Sequence, residues 1–189
     1  MSDGLKSKNE GGRTSPARTV AYVALGVAFI CACSYLALPF AVPITMQTLA
    51  IYLLICVLGE KKATFSIFVY LLAGAIGLPV FSSFTGGVGV LLGPLGGYLV
   101  SFLAMPAVNY AVCRARGRST FSLAVGLSLG TLLCYALGSA WFAFVNGAEG
   151  GLLSALATCV APFILPDAIK IAIALFVYKR VAFLNLNRI

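Results

Sequence analysis

The sequence predicts an all-α membrane protein of six transmembrane helices, and three observations carry that prediction. Of 189 residues, 61% are hydrophobic and only 10% are charged, against roughly 25% charged in ordinary soluble domains. The apolar residues gather in long runs, several of them close to the ~20 residues a helix needs to cross a bilayer core of about 30 Å. The basic residues fall in short clusters between those runs, as in a membrane protein oriented by its loops. The length allows one domain, and no break in the pattern marks a second.

Residues 1–19 are polar, carry Lys6, Lys8, Arg13 and Arg18, and read as a disordered basic cytoplasmic tail. The apolar run behind them is of full spanning length and lacks a cleavage site, so a signal peptide is not expected. Val20 to Leu38 gives the first span, and Ile44 to Leu58 a shorter second one. No charged residue occurs between Ala63 and Cys113, which leaves room for two spans joined through the Gly/Pro-rich stretch Gly77 to Gly97. Phe121 to Val145 supplies a fifth span and Leu153 to Tyr178 a sixth. The membrane domain is thus expected over 20–181, with a cytoplasmic C-terminal tail at 182–189.

Charge placement tests this layout. One set of helix ends carries Lys6, Lys8, Arg13 and Arg18, then Lys61 and Lys62, then Arg114, Arg116 and Arg118, then Lys179, Arg180 and Arg188; the other set carries only Glu149. The positive-inside rule therefore puts both termini in the cytoplasm. The net charge of +8 does not form a basic face interleaved with aromatics, which argues against nucleic acid as a partner. The outer connections, Pro39 to Gln47 and Leu78 to Val90, are apolar and irregular. Such backbone survives at membrane depth when protein buries it or when it lines a cavity, so these loops are expected to be re-entrant and to lid an outward-facing pocket. Tight structural turns are the alternative.

The thirteenth basic residue is the informative one. Asp167 and Lys170 lie inside the sixth apolar run, at a spacing that puts both on one helix face. A charge at mid-bilayer costs about 2.5–3.5 kcal/mol on insertion scales, and intramembrane ionisable residues read as a functional site by default. The competing reading is a self-neutralising pair that packs the bundle. Pro162 and Pro166 suggest either a kink or a helix whose regular part begins at about Pro166, with its first N–H groups beside the two charges.

Several chemistries are excluded. The chain has no histidine, which removes His-based triads and HExxH zinc sites. It has no GxxxxGK[ST] phosphate loop, and one buried aspartate cannot form a two-aspartate dyad. No catalytic residue, bound cofactor or metal site is expected. The six cysteines show no CxxC pair and read as small buried hydrophobes. The glycines at 86, 87, 89, 93, 96 and 97 suit close backbone approach to a ligand or a neighbouring helix. Ala24, Ala28 and Ala32 form a flat stripe on the first helix, fit either for internal packing or for a partner subunit.

Four motifs in order, Val42-Pro-Ile-Thr-Met-Gln-Thr-Leu49, Gly74-Ala-Ile-Gly-Leu-Pro-Val-Phe81, Gly86-Gly-Val-Gly-Val-Leu-Leu-Gly-Pro-Leu-Gly-Gly-Tyr98 and Pro162-Phe-Ile-Leu-Pro-Asp-Ala-Ile-Lys170, resemble the BioY family over about residues 20 to 180. Its members are the biotin-specific substrate-binding subunits, or S components, of energy-coupling factor (ECF) transporters in the bacterial cytoplasmic membrane. The resemblance implies high-affinity biotin capture in an outward pocket capped by the loops after the first and third helices. It also implies a membrane-embedded coupling subunit and two ATPase subunits as partners, which would consume the ATP. Ala24, Ala28 and Ala32 become the expected docking stripe. Asp167 is expected to take the ureido N–H groups, and Lys170 the carboxylate or the ureido oxygen, with the reverse assignment open. Gly86, Gly87, Gly89 and Tyr98 are expected to line the wall, with Gln47 as a further polar candidate. One departure is Leu95, where the family commonly has threonine; another is Ser82 to Thr85, which carries no arginine. An S component for a different vitamin and a purely structural membrane subunit are the alternative functions.

Overall fold

The computed structural model describes residues 15–38, 44–147 and 151–186. The expected lid segment 39–43, most of the N-terminal tail, Glu149 and the last three residues lie outside them. Helix α1 (Pro16–Tyr35) begins at a Ser15 cap whose side chain accepts from the Arg18 N–H, with proline in its first turn. That start takes in four residues of the stretch expected to be tail. Two residue pairs, β1 (Ala37–Leu38) and β2 (Ile44–Thr45), form a short antiparallel ladder. It leads into α2 (Gln47–Leu58), and Gly59, at φ 85°, turns the chain into α3 (Glu60–Ala75).

Residues between α3 and the next long helix fold into a single turn at Ser82–Phe84 and two short helices, α4 (Val88–Leu92) and α5 (Gly96–Ser101). Helix α6 (Ala104–Arg116) continues from α5 through tight i+3 hydrogen bonds at Phe102, Leu103 and Met105. Helix α7 (Thr120–Asn146) is capped by Ser119, which accepts from the Ser122 N–H at 3.1 Å. Helices α8 (Leu152–Cys159) and α9 (Ala161–Leu186) complete the bundle.

Among the described residues, four helical stretches are long and apolar enough to cross a bilayer: 16–35, 96–116, 120–146 and 156–183. Helices α2 and α3, at 12 and 16 residues, fall short of that length, so the all-helical class stands while two of the six expected spans are short. The sixth run breaks at Val160 rather than at Pro166, which sits inside α9. The reason is that Pro162 occupies the first turn of α9, where a proline sacrifices no intrahelical bond, whereas Pro166 forfeits only one. Asp167 and Lys170 consequently lie within a continuous helix and not beside its exposed first N–H groups.

The core is apolar and lies where α2 meets α1, α3 and α9, and where α6 meets α7. Ile30, Ile51, Ile55, Ile67, Leu123 and Leu127 are fully buried. Large apolar side chains also cover the outside: Leu25, Phe65, Phe121, Leu132, Phe144 and Phe176 are all exposed. Only an apolar solvent makes such a surface favourable. The two ends of the bundle differ. At one, Arg118 pairs with Glu60 and donates to the carbonyls of Ile55 and Cys56 at 3.0 and 3.1 Å, which caps α2. The same end holds Lys62 over the Tyr22 ring and Arg118 beside Tyr178. The other end holds the cavity.

Candidate ligand-binding site

A cavity of about 280 Å³ is enclosed by the start of α2, the loop 81–85, helices α5 and α7, and the broken sixth run. Its lining is mainly apolar and aromatic, including Phe81, Leu95, Tyr98, Phe102 and Phe163, with Asp167 and Lys170 set into one wall. That composition, apolar walls with a few convergent polar groups, is the usual make-up of a small-molecule site.

Asp167 and Lys170 are 2% and 5% exposed, and a dense set of hydrogen bonds makes their burial tolerable. Lys170 Nζ donates to the Thr45 carbonyl at 2.8 Å, to Thr48 Oγ1 at 2.9 Å and to Asp167 Oδ1 at 3.0 Å. These three acceptors use all three ammonium donors. Thr48 Oγ1 donates in turn to Asp167 Oδ1 at 2.9 Å, and Tyr135 donates its hydroxyl to Asp167 Oδ2 at 2.6 Å. An ionised carboxylate has about four acceptor positions, so one on Oδ2 remains for a ligand donor.

A second network holds the loop that caps the cavity. Gln47 donates its side-chain amide to Tyr70 Oη at 2.8 Å, and Tyr70 donates to the Val80 carbonyl at 3.2 Å. Ser34 donates to the same carbonyl at 2.6 Å, and Tyr35 donates to the Pro79 carbonyl at 2.6 Å. Phe81 fits over Gly74, where any Cβ would collide with its ring. Ser83 and Phe84 have φ of 58° and 57°, a left-handed conformation that costs non-glycine residues of order 1–3 kcal/mol each. The turn is held by Phe81 N–H to the Thr85 carbonyl at 3.0 Å and by Phe84 stacked on Tyr35 at 4.2 Å.

Of the residues singled out from the sequence, Asp167, Lys170, Tyr98 and Gln47 all line the cavity. Gly86, Gly87 and Gly89 do not; their neighbours Thr85 and Val90 do. The glycines serve the turn instead. A Cβ on Gly86 would strike the Leu78 carbonyl, and Gly87, at φ 100°, donates to the Gly74 carbonyl at 2.7 Å. Gly89 opens α4 with nothing near its missing Cβ. Ala24, Ala28 and Ala32 are exposed, whereas α1 meets the bundle through Gly26, Ile30, Cys33 and Ser34. Among the described residues the stripe takes no part in internal packing.

Sequence reasoning missed Thr45, Thr48 and Tyr135. A signal for Tyr135 was present: Thr131, Tyr135 and Ser139 recur every four residues, a hydroxyl ladder on one face of an apolar helix. Each rung meets a partner on another element: Tyr52 at 2.8 Å, Asp167, and Tyr98 at 2.9 Å. Tyr98 reaches Ser139 by lying over Gly138, whose Cβ would enter its ring. No cluster of His, Cys, Asp or Glu fit for a metal occurs among the described residues.

A model of the BioY family matches residues 6–185. The biotin transporter BioY2 of Lactococcus lactis is 37% identical over 150 residues, which is 78% of this chain and 81% of that protein. The biotin transporter BioY of Thermotoga maritima is 36% identical over 148 residues, 78% of this chain and 85% of the relative. Among solved structures, the S component for biotin from an ECF-type ABC transporter superposes with a TM-score of 0.80 at 27% identity, covering 90% of this chain and 95% of that one. The S component of a bacterial ECF transporter gives a TM-score of 0.64 at 15% identity, covering 89% and 97%, a likeness of fold alone.

Proposed function

The chain belongs to the BioY family, and from that premise we infer that it captures biotin as the substrate-binding subunit of an ECF-type transporter. It is a multi-pass protein of the cytoplasmic membrane and a transport component, not an enzyme. The observation that carries the ligand reading is the buried Asp167–Lys170 pair in the wall of an otherwise apolar cavity. A purely structural pair would not need a cavity beside it.

Biotin matches this wall group by group. Its ureido head carries two N–H donors and one acceptor, its rings are apolar, and its tail ends in a carboxylate. Asp167 Oδ2, held by Tyr135 and left with one free acceptor position, takes a ureido N–H. Lys170 lies beside the head and, by sharing one of its three donors, meets the ureido oxygen. Tyr98 and Phe163 pack against the rings, and Gln47 supports the wall through Tyr70.

In the membrane, we place the end bearing Arg118, Glu60 and Lys62 in the cytoplasm and the cavity outside. All six runs then cross, with α2 and α3 as short spans completed by the loops at their outer ends. The basic residues 1–19 and 182–189 would be cytoplasmic tails. The exposed Ala24, Ala28 and Ala32 would receive a coupling subunit, because small side chains let another helix approach closely. Two ATPase subunits would supply the energy, since this chain has no phosphate loop.

Thermal unfolding of the purified protein with biotin, thiamine or riboflavin tests the ligand. A ligand at 100 times its Kd adds about 2.7 kcal/mol to the folded state. Biotin alone is expected to raise the melting temperature. A rise with another vitamin would transfer the site to that ligand, and no rise with any would leave the pair a packing device.

A further inference from the structure

Among the described residues a single cation lines the cavity, and beyond the donor it shares with the ureido oxygen it has none to spare for a second ligand group. Lys170 has three N–H groups, and three protein acceptors within 3.0 Å take them. Among the described residues no other lysine or arginine lines the cavity. Nor does the sequence offer one nearby: no charge occurs from Ala63 to Cys113, and the segments 39–43 and 148–150 contain no lysine or arginine. A second carboxylate drawn to Lys170 would also face Asp167, whose charge Lys170 already balances. Like charges at that range in a low dielectric repel strongly.

The mouth offers a different chemistry. Ser82, Ser83 and Thr85 line it, and Ser83 and Thr85 are exposed to the outside. Thr85 already donates its hydroxyl to the Ser82 carbonyl at 2.9 Å, so the Ser82 and Ser83 hydroxyls are the donors at the mouth, and they meet a carboxylate, an amide or an ester oxygen alike. The deep wall therefore discriminates by donor and acceptor pattern, while the rim reads no charge.

We propose that this site recognises the buried head of its ligand and is indifferent to charge at the far end, so that its ligands include biotin derivatives neutralised at the carboxyl as amides or esters. The inference rests on the reading of biotin as the ligand. Its consequence is that the chain captures biotin still joined to an amine as well as the free acid.

Calorimetric titration of the full chain in detergent with biotin, biotinamide and biotin methyl ester tests it. The three Kd values are expected to agree within about threefold, because losing a charge-assisted contact would cost roughly tenfold or more. Tight binding of biotin with a loss of tenfold or more for both neutral forms would overturn the proposal and reveal a cation on the tail. Failure of all three to bind, with the protein still folded by circular dichroism, would instead remove biotin as the ligand and the proposal with it.

Discussion

Two ion pairs sit at opposite ends of this bundle, and their settings differ in kind. Arg118 and Glu60 lie at the rim, with side chains 35% and 13% exposed. Lys170 and Asp167 lie in the cavity wall at 6% and 3%. The rim pair does ordinary structural service, since Arg118 also caps the carbonyls of Ile55 and Cys56 at the end of α2. Water can solvate what it leaves unpaired. The buried pair has no such recourse, so every donor of Lys170 must find a protein acceptor, and hydroxyls of Thr48 and Tyr135 are recruited to complete the carboxylate. Removing two charges from water costs several kcal/mol per ion, and a pair of well-packed apolar residues often does better for stability. A pair buried under those conditions beside a cavity is what the proposed ligand site would require.

The largest effect should come from breaking the buried pair. Asp167→Ala strands an ammonium and should cost about 3–5 kcal/mol of stability, read as a large fall in the thermal unfolding midpoint. The double variant Asp167→Leu/Lys170→Met sharpens the contrast: stability should return while biotin binding stays absent. Restored stability with retained binding would place the ligand elsewhere. Tyr135→Phe removes one bond to an ionised group and should cost about 1.5–3 kcal/mol, most visibly in ligand affinity.

Gly74→Ala tests the cap. Its methyl would drive Phe81 from its seat, and overpacking of this kind costs about 1–3 kcal/mol. Protection of the loop 78–87 in hydrogen exchange should fall, while the α6–α7 contact remains protected. The smallest effect belongs to the rim. Arg118→Ala loses a half-solvated pair and two carbonyl contacts, should cost about 1 kcal/mol and should leave biotin affinity unchanged. A loss of affinity there would show that the two ends are coupled.

The same contrast explains what the sequence could and could not reveal. Asp167 and Lys170 stood out in the sequence because a charge inside an apolar run is costly and calls for a reason, functional or structural. The helical class followed from hydropathy. Thr48 and Tyr135 escaped because a hydroxyl in an apolar helix can satisfy itself on its own backbone, and only the fold shows which hydroxyl has turned to a partner; Thr45 escaped because it offers its backbone carbonyl, a group every residue carries. A glycine signals close approach without saying to what, and at 86 and 87 it is to the backbone of Leu78 and Gly74, while Gly89 has open space beside it. The two prolines left a kink and a start at about Pro166 both open, and the fold resolves them: Pro162 lies in the first turn of α9 and Pro166 inside it.

The most direct test of the central claim is calorimetric titration of biotin into the wild-type protein and into Asp167→Asn, each first checked for cooperative unfolding. The amide keeps the shape of the carboxylate but loses its charge and part of its acceptor capacity. Tight binding is expected for the wild type and a loss of at least about tenfold for the variant, the scale of a hydrogen bond to a charged group. Equal affinity in a folded Asp167→Asn protein would contradict it, and the buried pair would then be no more than a second structural brace.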